Sequence, residues 1–188
     1  AAISARVAGV DLVLIGPDDP TAMLQHTRRC RAEGIPFVAD PSQQLPRLDG
    51  EATRDLIEGA AYLFNNEYES QLIEQRTGWS NDELLAKVGV RITTLGKNGA
   101  RLQSSDGLDC VVPVAKEEVI KDPTGVGDAF RGGFMKGLAL EAPLETCARM
   151  GSVAATYALE HLGGQSHSYS MAEFAERYEQ HFGGLVLG

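Results

Sequence analysis

A chain of 188 residues with 43% hydrophobic content is long enough to bury a core of its own and lacks the composition of a disordered segment. Its 17 Lys and Arg against 26 Asp and Glu leave a net charge of −9 with no basic run, which argues against a nucleic-acid partner, because phosphate neutralisation needs clustered cations. Cys30, Cys110 and Cys147 are few, scattered and odd in number, as reduced thiols of a cytoplasmic protein would be, and no apolar run reaches membrane-spanning length.

The chain opens without Met, and residues 1–8 read like the end of a helix feeding a strand, the pattern expected of a sequence that continues upstream. Asp11 to Gly16 is a short apolar run stopped by Gly-Pro, the pattern of a buried parallel strand. From Pro20 to Glu33, Met23, Leu24, Thr27 and Cys30 fall at helical spacing, and Gly34 with Pro36 ends the segment. A second strand at Phe37 to Ala39 runs into the polar stretch Asp40 to Gln44. Gly50 to Gly59 suits a surface helix carrying Leu56 and Ile57. Tyr62 to Phe64 predicts a third strand, followed by a polar turn at Asn65 to Glu69 that opens a helix through Arg76. Ser80-Asn81-Asp82-Glu83 is a capping box for a short helix.

A fourth strand is expected at Arg91 to Leu95, broken by Gly96-Lys97-Asn98-Gly99. Ala100 to Gln103 and Val111 to Val114 suggest an antiparallel hairpin at the sheet edge, and Glu118 to Lys121 one more short strand. Three helices follow, at Asp128 to Leu140, Leu144 to Leu162 and Met171 to His181. The second is rich in small residues suited to packing against the sheet. Strands alternating with helices predict a mostly parallel, doubly wound α/β sheet with helices on both faces, and residues 1–188 read as a single α/β domain.

Four polar turns, 40–44, 65–69, 94–99 and 122–128, each follow an expected strand, and in a parallel sheet such turns share the edge where ligands bind. In the last of them, Gly125, Val126 and Gly127 lead into a helix. A helix start presents unpaired N–H groups and a partial positive charge, so these three amides can face an anion, with Asp128 beside it either as a dipole partner or as a catalyst. The Gly96 turn lacks the G-x-x-x-x-G-K-[ST] spacing of a P-loop, and no G-x-G-x-x-G follows the first strand. A tight turn needing positive φ accounts for Gly96 and Gly99 equally well. His161 and His167 flank Gly163-Gly164 without forming a metal-ligand pattern, and all four histidines, His26, His161, His167 and His181, read as surface or packing residues.

Asp122-Pro123-Thr124-Gly125-Val126-Gly127-Asp128 resembles the D-T-x-G-A-G-D signature of the ribokinase-like (PfkB) sugar and nucleoside kinases. Asp40-Pro41, Asn66-x-x-Glu69, Thr94-Leu95-Gly96-x-x-Gly99 and Gly163-Gly164-Gln165 follow that family's order, so the likeness covers nearly the whole chain. Asp40 to Leu45 with Arg47, Gly78-Trp79-Ser80 and Arg131 look most like the actinobacterial type of adenosine kinase.

The resemblance implies ATP-dependent phosphorylation of a primary hydroxyl, most simply the 5′-OH of adenosine, in purine salvage. Asp128 would be the catalytic base, and the Gly125, Val126 and Gly127 amides would hold phosphate charge. It implies nucleotide contacts at Asn66, Thr94, Leu95, Gly96, Lys97, Asn98, Gly99, Gly127, Gly164 and Gln165, and substrate contacts at Gln43, Gln44 and Arg47. Mg²⁺ would be organised by Asn66 and Glu69 through water, and K⁺ by Asp122. The family's early strands, lid and ribose-gripping aspartate are absent from these residues, which makes the chain the C-terminal nucleotide-binding and catalytic portion of a larger kinase. A sugar kinase and a catalytically silent nucleotide-binding domain stand as alternatives, and a homodimer of the full-length form is left open.

Overall fold

The computed structural model describes residues 9–184, so the helix end expected at residues 1–8 lies outside the described residues. The chain divides into two compact units, Ala1–Gly96 with Arg101–Cys110, and Lys97–Ala100 with Val111–Gly188.

In the first unit β1 (Val13–Ile15), β2 (Phe37–Ala39), β3 (Tyr62–Asn66) and β4 (Val90–Thr94) pair in sequence order, all parallel. Between them run α1 (Pro20–Glu33), α2 (Gly50–Ile57), α3 (Glu67–Thr77) and α4 (Asn81–Leu85). Local chemistry sets their ends. Asp19 caps α1 by accepting from the Ala22 N–H at 3.1 Å, Pro20 occupies its first turn, and Gly34 closes it. Ser80 and Glu83 form the expected capping box on α4.

Ile15, Phe37, Ala39 and Leu63 point from one sheet face into a core with Met23, Cys30, Leu56, Ile57, Ile73 and Leu84 of the four helices. Val38, Phe64 and Ile92, which alternate to the opposite face, are also buried. Together with β5 (Ala100–Gln103) and β6 (Asp109–Val112) the strands form a six-stranded sheet in the order β1-β2-β3-β4-β5-β6, mixed but mostly parallel, with the β5–β6 hairpin at its edge. Arg101 bridges to Asp109 across the hairpin at 2.6 and 2.7 Å.

The second unit holds α5 (Val126–Ala139), α6 (Leu144–Leu159) and α7 (Met171–Phe182). Its core joins Ala115, Met150, Val153 and Ala154 to Phe174 and Tyr178. The small residues of α6 meet α5: a side chain at Gly133 would strike the Met150 carbonyl, and one at Gly151 the Phe130 carbonyl. Within this unit they serve helix-on-helix contact.

Four expectations are corrected. The third strand continues through Asn65 and Asn66, so the polar turn expected there is absorbed into β3 and the start of α3. The second hairpin strand is Asp109–Val112, not Val111 to Val114, because the loop is tight, with Ser104 N–H bonded to the Leu108 carbonyl at 3.0 Å. No strand forms at Glu118 to Lys121. Its backbone is tied to α6 instead: Glu118 N–H donates to the Glu160 carboxylate at 2.8 Å, and Lys121 N–H to the Leu159 carbonyl at 2.9 Å. α6 also ends at Leu159, three residues short of the expected Leu162, with Glu160 as its C-cap.

Candidate active site

In the first unit, parallel pairing brings the carboxyl ends of β2, β3 and β4 to one edge, and the segments after Ala39, Asn66 and Thr94 start there, the second directly as α3. Asp40 is buried at the end of β2. The chain then enters a 3-10 helix, Ser42–Arg47, through Ser42 at φ 41, a left-handed conformation uncommon for a residue other than glycine. Gln43 is exposed and Gln44 half-buried, and the Gln44 side-chain oxygen accepts from Arg47 Nη1 at 3.5 Å, so these three substrate candidates share one short segment.

Asn66 and Glu69 are locked together at the start of α3. Asn66 Oδ1 accepts from the Glu69 N–H at 2.8 Å, and Glu69 Oε2 accepts from the Asn66 N–H at 2.8 Å. The pair is thus a capping box that holds a buried carboxylate at a helix N-terminus, with Glu69 Oε1 outside the box. On the strand beside this edge lies a residue that no sequence pattern singles out. Arg91, on β4 and 2% exposed, donates to Asn65 Oδ1 at 3.2 Å, to Asn81 Oδ1 at 2.7 Å and to Ser70, and reaches Glu74 at 3.4 Å. Burial pushes its guanidinium below the ordinary value, against the pull of Glu74. A lone arginine in a strand carries no pattern that foretells such a network. Thr94 and Leu95 are half-buried, and Gly96 is exposed where the chain leaves the sheet.

In the second unit Lys97 and Asn98 are exposed, whereas Gly99 is buried with φ 95, and a Cβ there would lie 1.9 Å from the Val112 carbonyl. Glycine at 99 is therefore demanded by close backbone packing.

The start of α5 differs from those of α1, α2, α3, α4 and α7, each closed by a side-chain oxygen. Its N-cap is Gly125 at φ 79, and no side chain caps it. A Cβ on Gly125 would stand 2.6 Å from Gly164 Cα, so the glycine loop 163–164 lies directly against the helix start. Asp122 ties the two together: Oδ1 accepts from the Thr124 N–H at 2.9 Å and Oδ2 from the Gly163 N–H at 2.8 Å. Hydrogen bonds from the Thr124 side chain and from the Thr124 and Gly163 backbone hold this carboxyl below its usual range.

The Val126 N–H reaches the Pro123 carbonyl at 3.3 Å. Asp128, in the first turn, has a side chain 82% exposed and meets Arg131 Nη1 at 3.2 Å. Gln165 is exposed beside Gly164. This terminus has the donors, the positive dipole end and the close-packed glycine backbone that a phosphate group requires. Among the described residues no group of three or more His, Cys, Asp or Glu is arranged to hold a metal ion, and no helix is long and apolar enough to cross a membrane.

A parallel α/β sheet with polar turns at one edge, and separately an open glycine-led helix start followed by aspartate, define a ribokinase-like kinase fold. The nucleoside kinase of Burkholderia thailandensis in complex with inosine has this fold at a TM-score of 0.92 and 37% identity, over 97% of this chain and 61% of that one. The same enzyme in complex with ADP-inosine matches at 0.93, over 98% and 58%. The nucleoside kinase of Methanocaldococcus jannaschii is 28% identical over 171 residues, 91% of this chain and 56% of the relative. The pfkB family carbohydrate kinase model matches residues 3–170, and the chain belongs to that family. It spans only part of the length of each of these relatives.

Proposed function

We propose that the full-length protein transfers the γ-phosphoryl group of ATP to the 5′-OH of a nucleoside, with adenosine the acceptor to which the sequence points. The observation that carries this is the open N-terminus of α5, with Gly125 as its uncapped start and the exposed Asp128 carboxylate in its first turn. Likeness to nucleoside kinases supports the acceptor class.

Asp128 accepts a hydrogen bond from the acceptor hydroxyl and takes its proton, a role worth typically about 10²–10⁴-fold. As the 5′-oxygen bonds to the γ-phosphorus, the bond to the β–γ bridging oxygen breaks and ADP leaves with that electron pair. Phosphoryl transfer is loose, so the proton moves late and a carboxylate is base enough. The amides of Gly125, Val126 and Gly127 hold the charge that builds on the phosphates, Val126 giving up its 3.3 Å bond to Pro123.

Mg²⁺ bound with the nucleotide would neutralise phosphate charge, and Asn66 and Glu69 would hold it through water, Glu69 with the Oε1 that stands outside the capping box. Thr94, Leu95, Gly96, Lys97, Asn98 and Gly99 line the nucleotide, Gly164 and Gln165 flank its base, and Gln43, Gln44 and Arg47 contact the acceptor. A K⁺ ion beside Asp122 would share a carboxylate whose two oxygens already accept N–H bonds. Such an enzyme serves purine salvage in the cytoplasm.

The test is a panel of adenosine, inosine, cytidine and ribose with ATP and the full-length protein. Adenosine should exceed ribose in kcat/KM by at least about tenfold, since amide side chains recognise polar edges that ribose lacks. Gln43→Ala and Gln44→Ala should raise KM for adenosine and leave that for ATP. A preference for ribose, or tight ATP binding with no turnover of any acceptor, would overturn the proposal.

A further inference from the structure

We propose that Arg131 is a positioning residue for this transfer and acts through Asp128, an inference that rests on the reading of Asp128 as the base. Arg131 stands three residues after Asp128 on α5, and its Nη1 is 3.2 Å from Asp128 Oδ1. Between two solvated side chains such a pair contributes little, because each must be ordered to hold the other. Here the partners are unequal. The Asp128 side chain is 82% exposed but that of Arg131 only 15%, so the carboxylate that faces solvent leans on a guanidinium held by its surroundings.

Gly127 shows how that guanidinium is accommodated. A Cβ at 127 would lie 2.9 Å from Arg131 Nη1 and 3.8 Å from its Cζ. Glycine at this position therefore leaves the helix start open and also gives the arginine its place. The planar guanidinium donates along fixed directions and pins the rotation of the carboxylate in a way that the flexible ammonium of lysine does not. With Oδ1 taken by Arg131, Oδ2 is the oxygen presented to the acceptor hydroxyl. Holding a base in one geometry is worth rate without adding substrate affinity.

The experiment is a double-mutant cycle in the full-length protein with ATP and adenosine: wild type, Asp128→Asn, Arg131→Ala and the double variant. Arg131→Ala should lower kcat by about tenfold or more while both KM values stay within about threefold, the signature of an interaction expressed in the transition state. In the Asp128→Asn background the same replacement should change kcat by less than about twofold, because the group it positions is gone. Should Arg131→Ala fail to fold by circular dichroism, Arg131→Lys must show a smaller loss with the same dependence on Asp128. Multiplicative losses, or a raised KM for ATP at unchanged kcat, would overturn the assignment of Arg131 alone. An Asp128→Asn enzyme with the wild-type rate would overturn the base reading as well.

Discussion

Replacing Gly125 by alanine tests the contact between the start of α5 and the 163–165 loop. Gly125 sits at φ 79, ψ 0, and an alanine held in the left-handed region costs roughly 1–2 kcal/mol. The added Cβ would stand 2.6 Å from Gly164 Cα and 3.0 Å from its carbonyl oxygen, both backbone atoms that cannot rotate away. The loop must retreat, at a cost of about 1–3 kcal/mol by analogy with overpacked cores. Retreat also stretches the 2.8 Å bond from Gly163 N–H to Asp122.

Together these give a loss of roughly 2–5 kcal/mol, which for a protein of this size lowers Tm by about 4–20 °C. Gly132→Ala is the control. It lies exposed in the same helix with open space where its Cβ would go, and the gain in helix propensity should stabilise by up to about 1 kcal/mol. Thermal unfolding followed by circular dichroism reads both, and ATP titration should show weaker binding by the Gly125 variant alone. A Gly125→Ala protein that melts within about 1 °C of wild type would refute the contact and the strain together.

Two further predictions concern each unit separately. Asp122 has a folded-state pKa depressed below its ordinary 3.8, so the stability it contributes is fully present above that value and is lost as pH falls through the folded pKa. The stability difference between wild type and Asp122→Asn should therefore be largest above pH 3.8 and shrink below it, and acid titrations of the two proteins that run parallel would contradict this. Arg91→Met keeps the hydrocarbon stem but leaves the side-chain oxygens of Asn65 and Asn81 without their donor, and should cost about 2–4 kcal/mol in urea denaturation. A loss under about 1 kcal/mol would show that the network does not hold β4 to α3 and α4.

What the sequence disclosed depended on how local the cause was. Asp19, Pro20 and Gly34 bracket α1 with chemistry contained in their own turn, and Ser80 with Glu83 does the same for α4, so both helices were readable. Parallel order followed from alternation of strands and helices, and it placed the turns after β2, β3 and β4 on one edge. Asn66 and Glu69 also carried a local signal, the asparagine and glutamate three apart that make a capping box. The resemblance to the family adds a metal role at the same two residues, which the local signal alone does not carry.

Partners distant in sequence were not legible. Glu118 to Lys121 suggests a short strand, yet its backbone is fixed by Glu160 and Leu159, some forty positions away. Arg91 and the Gly125–Gly164 approach are of the same kind. Arg131 lay within the motif, but only geometry showed its nitrogen beside Asp128 and above Gly127.

Asp128 is proposed to remove the proton from the hydroxyl that accepts the phosphoryl group. The most direct measurement is the turnover of ATP and adenosine by full-length Asp128→Asn beside wild type, with ATP affinity measured on the same samples. With Asp128 as the base, kcat falls by about 100-fold or more at nearly unchanged ATP affinity. An Asp128→Asn enzyme that turns over at the wild-type rate would contradict it.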